Sequence, residues 1–247
     1  MSSSPHAIFF DLDETLVENR IPVITLFGEM YHSFKQELGS ENQEVFFAAL
    51  KHHARQLWDT MFQHDISPEQ QFKNCFEKSI ISTKSIDSDE ATELAQEMFD
   101  HYKQLSSNNV VLHHDALSTL AELRQKGFIT GIITNGMEEI QLGKIHQLEL
   151  ENKVDHVIVS AQARAHKPNR EVFELALDTA KVDANQAWQI GDHATNDVAG
   201  AIRAGMSGVF YNPKKHDIET SFAELTERPS YVVSSLMQVI ELAGRAR

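Results

Sequence analysis

The spacing of its apolar residues divides the chain into two kinds of segment. Near the start, Ile8-Phe9-Phe10 is a short apolar run that ends abruptly in Asp11, Leu12, Asp13, Glu14 and Thr15, the pattern of a strand buried on both faces of a parallel sheet. Beyond Leu16 the period changes. Phe46, Ala49, Leu50, His53, Leu57 and Met61 recur at helical spacing, as do Phe72, Cys75, Phe76 and Ile80, so each set predicts an amphipathic helix. A third helix is announced by Asp87 and Glu90, spaced as a capping box ahead of Ala91, Leu94, Ala95, Met98, Tyr102 and Leu105. Residues 18–108 read as a helical module inserted just after the first strand.

A polar break, Ser106-Ser107-Asn108-Asn109, is followed by strands and helices in alternation to the end. Asp115 is placed to cap a helix carrying Leu117, Leu120 and Leu123, and Gly127 to stop it. Phe128 to Ile133 is a buried strand that ends in Thr134-Asn135-Gly136, and a helix from about Met137 to Leu148 follows. His156 to Ser160 is the next strand, and Lys167-Pro168-Asn169 leads into a helix with Val172, Phe173 and Ala176 on one side. Ala187 to Ile190 is a strand ending in Gly191-Asp192, and Thr195 is expected to cap the helix through Val198, Ala201 and Ile202. Gly208 to Tyr211 and Tyr231 to Val233 are further strands, and Leu236, Val239, Ile240 and Leu242 mark a last amphipathic helix. Repeated βα units predict an α/β fold, a doubly wound parallel sheet with helices on both faces.

Composition narrows the class. With 247 residues, 41% of them hydrophobic, the chain can fill one large domain or a core plus a smaller module. No apolar run is long enough to span a membrane, and the opening Met-Ser-Ser-Ser-Pro-His lacks the regions of a signal peptide, so a cytoplasmic location is expected. Cys75, the only cysteine, excludes an internal disulfide and a cysteine-based zinc site, and its helical spacing makes it a core residue. The aromatics Phe27, Tyr31, Phe34, Phe46, Phe47, Trp58 and Phe62 suit a core better than a substrate pocket. His52, His53 and His64 carry no metal spacing. A formal charge of −14 disfavours sequence-independent binding to nucleic acid. Any phosphorylated substrate must therefore meet cations placed locally.

The chemistry gathers at strand ends. In extended backbone, residues i and i+2 point to the same side, so Asp11 and Asp13 can face one spot. Open parallel sheets bind ligands at the carboxyl ends of their strands, and Thr134 and Asn135 end a second strand, Asp192 a third, with Lys167 just before a helix. Carboxylates, a lysine and small hydrogen-bonding residues together suit a magnesium-assisted phosphoryl site, because magnesium takes oxygen ligands and shares them with substrate phosphate. Like charges about 4 Å apart repel by roughly 4 kcal/mol at an effective dielectric near 20, so acids facing a phosphate need a divalent ion and a lysine between them. Each feature has a plainer explanation: Thr134-Asn135-Gly136 is a good turn, Asp197 suits the first turn of a helix, and Lys167 could be a surface lysine. Their joint position at strand ends outweighs those explanations.

These residues resemble the motifs of the haloacid dehalogenase-like hydrolase superfamily. Asp11-Leu12-Asp13-Glu14-Thr15-Leu16 is similar to the first motif, Thr134-Asn135-Gly136 to the second, Lys167-Pro168 to the third, and Gly191 to Asp197 to the fourth. The resemblance implies a Rossmann-like core at 1–17 and 109–247 and an inserted helical cap domain at 18–108. The stretch Thr134 to Ser160, with Gln141, Lys144, Leu148 and Val157-Ile158-Val159-Ser160, looks most like the nucleotidase and sugar-phosphate phosphatase branch. His113-His114-Asp115 departs from the proline and glycine common in relatives, in a loop.

The resemblance further implies a reaction on a nucleoside monophosphate or a sugar phosphate. Asp11 would attack phosphorus and form an aspartyl-phosphate, and Asp13 would serve as general acid and then base. Thr134, Asn135 and Lys167 would hold the phosphoryl group. Magnesium would be bound by Asp11, Asp192 and the main-chain carbonyl of Asp13, with Asp197 orienting Lys167 or a metal-bound water. Dehalogenases share the fold but lack the second aspartate, so Asp13 argues against that chemistry. A phosphoglucomutase-like enzyme shares both aspartates, and an aspartyl-phosphate signalling protein would use a similar acidic edge, although receiver domains are shorter and have no helical insert.

Overall fold

A computed structural model describes residues 5–39, 42–63 and 66–246, without the side chains at 56, 58 and 59. The expectations for His64 and for the Trp58 ring lie outside the described residues. The chain divides into two compact units, Met1–Asn19 with Val110–Arg247, and Arg20–Asn109.

The first unit is built on strands β1 (Ala7–Phe10), β4 (Ile129–Thr134), β5 (His156–Val159), β6 (Ala187–Gly191), β7 (Ser207–Tyr211) and β8 (Tyr231–Val233). They form one sheet in the order β5-β4-β1-β6-β7-β8, parallel throughout. All four residues of β1 are fully buried, which is why the sequence there is an unbroken apolar run rather than an alternation. Period two decides which layer each residue meets. Ile8 and Phe10 pack with Leu120, Leu123, Val239 and Ile240, from helices α6 (Ala116–Gln125) and α12 (Met237–Arg245). Ala7 and Phe9 pack on the other face with Val172, Phe173 and Ala176 of α9 (Arg170–Ala180). Helix α7 (Glu138–Gln147) follows β4, and a short antiparallel ribbon pairs β2 (Val17–Asn19) with β3 (Val110–Leu112). The strand order reverses around β1, so a crevice opens at the carboxyl ends of β1, β4 and β6.

Two predicted helix caps are replaced. Asp115 makes no side-chain cap bond on α6; its buried carboxylate accepts instead from the Leu236 main-chain N–H at 2.9 Å, tying the start of α6 to the last helix. Thr195 lies inside a π-helical turn, Ala194–Ala199, whose cap is His193, accepting from the Asn196 main-chain N–H. The widened turn carries Asp197 inward, where it is fully covered.

The second unit contains α1 (Val23–Ser33), α2 (Lys35–Leu38), α3 (Gln43–Thr60), α4 (Pro68–Thr83) and α5 (Ser88–Asn108). Ser67 caps α4 by accepting from the Gln70 N–H, with Pro68 at the first helical position, where its missing N–H costs nothing. Asp87 caps α5 by accepting from the Asp89 N–H. The aromatics pack on one another: Phe27 stacks on Tyr102 at 4.7 Å, Tyr31 leans on Phe46 and Phe47, and Phe72 meets Phe76 and Phe99 edge-on. Cys75 is buried beside them, and burial pushes its thiol up to about 11, so it serves as core. The Asn109 side chain closes the base of this unit, accepting from the Ile21 N–H and donating to the Ile21 carbonyl, both at 3.0 Å.

Candidate active site

The Lys167 side chain makes three hydrogen bonds in the crevice. Its ammonium is buried and donates to Asp11 Oδ1 at 2.7 Å, to Asp197 Oδ1 at 2.6 Å and to the Ile133 carbonyl at 2.8 Å. Three acceptors match the three N–H bonds of an ammonium. Burial alone would lower the Lys167 ammonium, but the carboxylates of Asp11 and Asp197 outweigh it and hold the group above its ordinary value. The peptide bond from Lys167 to Pro168 is cis.

The backbone that carries Lys167 is held by Asn135. Its Oδ1 accepts from the Lys167 main-chain N–H at 2.7 Å and its Nδ2 donates to the Lys167 carbonyl at 3.0 Å. The Asn135 side chain, expected to hold phosphoryl oxygens, is thus engaged in joining the end of β4 to the lysine. The same loop is braced from the residue that follows β5, because Ser160 Oγ accepts from the Gly136 main-chain N–H at 3.0 Å. Ser160 Oγ also lies 2.8 Å from His166 Nδ1, and burial lowers that imidazole to about 4, which keeps it neutral.

Asp11 follows β1 directly, its main-chain N–H donating to the Ile190 carbonyl on β6. Burial raises its carboxyl well above the usual range; Lys167 pulls it down, and Asp197 and Asp13 push it up again. Asp192, at the end of β6, is pushed up to about 7 by burial, then by Asp197 and Glu14. Asp197 accepts from Lys167 and from Gln189 Nε2 through Oδ1, and from the His193 main-chain N–H through Oδ2. Any side chain at Gly191 would collide with the Asp197 carboxylate, so glycine there is what admits the acid.

Among the described residues, Asp11, Asp192 and Asp197 offer carboxylate oxygens within 4.8 Å of one another. An all-oxygen donor set of this kind fits a hard divalent cation such as magnesium. Burial first, and then the neighbouring carboxylates, hold Asp11 and Asp192 above their usual range.

Asp13 faces a different set of partners, which spacing alone had not connected to it. Lys144 Nζ donates to both of its oxygens at 2.8 and 3.0 Å, and Gln141 Nε2 donates to Oδ2 at 2.9 Å. Gln141 also donates to Thr134 Oγ1 at 2.5 Å. A signal for both was present: residues three apart share a helix face, and on α7 that face is otherwise apolar, with Ile140 and Ile145 buried.

Known proteins resemble the chain as follows. The family profile described as haloacid dehalogenase-like hydrolase matches residues 8–210. Glyceraldehyde 3-phosphate phosphatase of Pyrococcus furiosus is 33% identical over 131 residues, 53% of each chain, so the chain spans about half the length of this curated relative. N-acylneuraminate-9-phosphatase of Rattus norvegicus is 24% identical over 248 residues, covering 96% of this chain and 93% of that one. A crystal structure of a 2-haloacid dehalogenase from Pseudomonas syringae pv. Tomato DC3000 superposes with a TM-score of 0.79 at 28% identity, over 98% of this chain and 100% of the other.

Proposed function

Since the chain belongs to the haloacid dehalogenase-like hydrolase family, we propose that it is a magnesium-dependent phosphomonoester hydrolase acting through an aspartyl-phosphate on a small phosphorylated metabolite. A nucleoside monophosphate or a sugar phosphate is the substrate class favoured. The observation that carries this reading is the second carboxylate: Asp13 is held by Lys144 and Gln141, two residues after an Asp11 that is itself held by Lys167. Relatives named as phosphatases of glyceraldehyde 3-phosphate and of an acylneuraminate 9-phosphate support a small phosphorylated substrate.

On this reading a carboxylate oxygen of Asp11 attacks phosphorus, the bond from phosphorus to the leaving oxygen breaks, and that oxygen takes a proton from Asp13. Water then gives a proton to Asp13 and attacks the same phosphorus. The bond from Asp11 to phosphorus breaks, inorganic phosphate departs, and Asp13 is again protonated. Thr134 donates its hydroxyl to a phosphoryl oxygen, Lys167 offsets negative charge on the nucleophile and the transferred group, and Asn135 acts through Lys167 by holding its backbone. Asp11, Asp192 and the main-chain carbonyl of Asp13 would hold magnesium, which when bound draws charge from the phosphoryl oxygens. Asp197 fixes Lys167. The unit Arg20–Asn109 is assigned as the cap that selects the leaving group.

The test is a screen of the purified protein against phosphorylated metabolites with magnesium and with EDTA, reading released phosphate. Metal-dependent release supports the assignment, and full activity in EDTA would overturn the metal's part in it. A second reading, hydrolytic dehalogenation, is favoured by the 28% identity to a protein named as a 2-haloacid dehalogenase. That reaction has no leaving oxygen to protonate and leaves Asp13 without a task. Halide release from a 2-haloacid, with no phosphate release from any ester, would decide for it.

A further inference from the structure

Gln141 and Lys144 join two groups that the proposed reaction uses at different atoms. A carboxylate offers roughly four lone-pair sites, and donors from α7 meet Asp13 three times, twice from Lys144 and once from Gln141. Few directions remain along which Asp13 can exchange a proton. The Gln141 amide that binds Asp13 Oδ2 also donates to Thr134 Oγ1. A hydroxyl that accepts there turns its own O–H away from the amide, toward the Asn135 main-chain carbonyl at 3.5 Å, a long contact that a closer acceptor can replace.

The chain makes room for this arrangement. Gly136 sits at φ +151°, and a Cβ on it would lie 2.7 Å from Gln141 Cγ and 3.0 Å from Cδ, so the turn that presents Thr134 also accommodates Gln141. Lys144 is only 8% exposed, and burying a lysine is costly unless it is paired. Its partner's side chain is 31% exposed, and a pair open to water on one side contributes little to stability. The arrangement is therefore better explained by orientation than by folding.

We propose that Gln141 and Lys144 are positioning residues that lock the Asp13 carboxylate and the Thr134 hydroxyl in one relative orientation, aligning proton transfer with the bound phosphoryl group. The inference rests on the phosphatase reading. Neither residue touches the reacting atoms; both act through Asp13 and Thr134.

The experiment compares the full chain with Lys144→Met, Lys144→Arg and Gln141→Leu. Alkyl-phosphate turnover and the burst of aryl alcohol from an aryl phosphate are followed with magnesium, together with phosphoprotein after rapid quench and the melting temperature. An alkoxide needs a proton to leave and an aryl oxide does not. Lys144→Met is therefore expected to lower alkyl-phosphate turnover about 100-fold, in the range of general acid catalysis, while the aryl burst rate falls less than about 10-fold. Quenched phosphoprotein should rise, because the step that needs the oriented base is slowed. Gln141→Leu should show the same leaving-group dependence and in addition a raised KM, through Thr134. Lys144→Arg, which still donates to both oxygens, should recover most of the alkyl-phosphate activity. Equal losses on both ester classes, with a lowered melting temperature and no recovery in Lys144→Arg, would show a merely structural role and overturn the proposal while leaving the phosphatase reading intact. An unsubstituted chain that releases phosphate from neither class would overturn both.

Discussion

The crevice contains two lysine–carboxylate assemblies of opposite character. Lys167 is sealed among Asp11, Asp197 and a main-chain carbonyl, with side-chain exposures of 2%, 11% and 1% for the three charged groups. Lys144 approaches Asp13 from α7, and the carboxylate it holds is partly open to solvent. Each assembly depends on a glycine that clears its path, Gly191 beside Asp197 and Gly136 beside Gln141. The sealed assembly carries charge in a low dielectric, where interactions are strong and breaking them leaves a buried charge uncompensated. The open one stays accessible to proton exchange. In the proposed reaction a nucleophile must be held and an acid–base group must be reached, and the two environments suit that division of tasks.

The largest effect is expected from Asp11, the proposed nucleophile. Asp11→Asn should reduce turnover to background even for aryl phosphates, with no phosphoprotein after quench, because the attacking oxygen's charge is gone. Asp13→Asn should keep an aryl burst and accumulate phosphoprotein. Retained activity in Asp11→Asn with loss in Asp13→Asn would reverse the two roles.

Stability should separate the assemblies next. Lys167→Met leaves Asp11 and Asp197 facing each other in a buried site and should destabilise the chain by about 3–5 kcal/mol, the scale for removing one partner of a buried pair. Lys144→Met should cost about 1 kcal/mol or less, as for exposed pairs. Urea titrations of the two variants measure this contrast, and similar losses would erase the distinction.

A smaller effect concerns pH. Asp192 is held up to about 7, above the usual carboxylate value near ~3.9. Between those pH values the folded chain keeps a proton that the unfolded chain has lost, so this contribution is present at low pH and is lost as pH rises through the folded value. A cation bound there competes with the proton. Magnesium should therefore raise the melting temperature, relative to EDTA, more at pH 8 than at pH 5.5, and Asp192→Asn should flatten the difference. An equal gain at both pH values would place the cation away from Asp192.

The smallest change is expected from the helical unit. Substitutions at its exposed polar positions should reorder the preferred substrates while changing hydrolysis of a small generic ester by less than about 3-fold, as expected of a lid that sets specificity. Equal loss on all substrates in a folded variant would remove the cap assignment.

The placement of Asp11, Asp13, Thr134 and Asp192 at strand ends was legible in the sequence because the signals that mark it are local, whereas Lys167 and Asp197 were singled out by their resemblance to family motifs. An apolar run that stops at a polar cluster marks a strand's carboxyl end, and a parallel sheet delivers all such ends to one edge. The helices of the insert were legible for the same reason, from apolar positions at a period of three to four. What only the tertiary structure decided was where each polar side chain spends its hydrogen bonds. Asn135 turns to the backbone of Lys167, and Asp115 leaves its expected cap for a main-chain N–H 121 positions away. Lys144 meets Asp13 across 131 positions. The last pair become neighbours only once β1 lies beside β4. Periodicity records which face a residue turns to the core, whereas a hydrogen bond depends on a donor and an acceptor arriving within about 3 Å of each other, and no pattern along one segment encodes that distance.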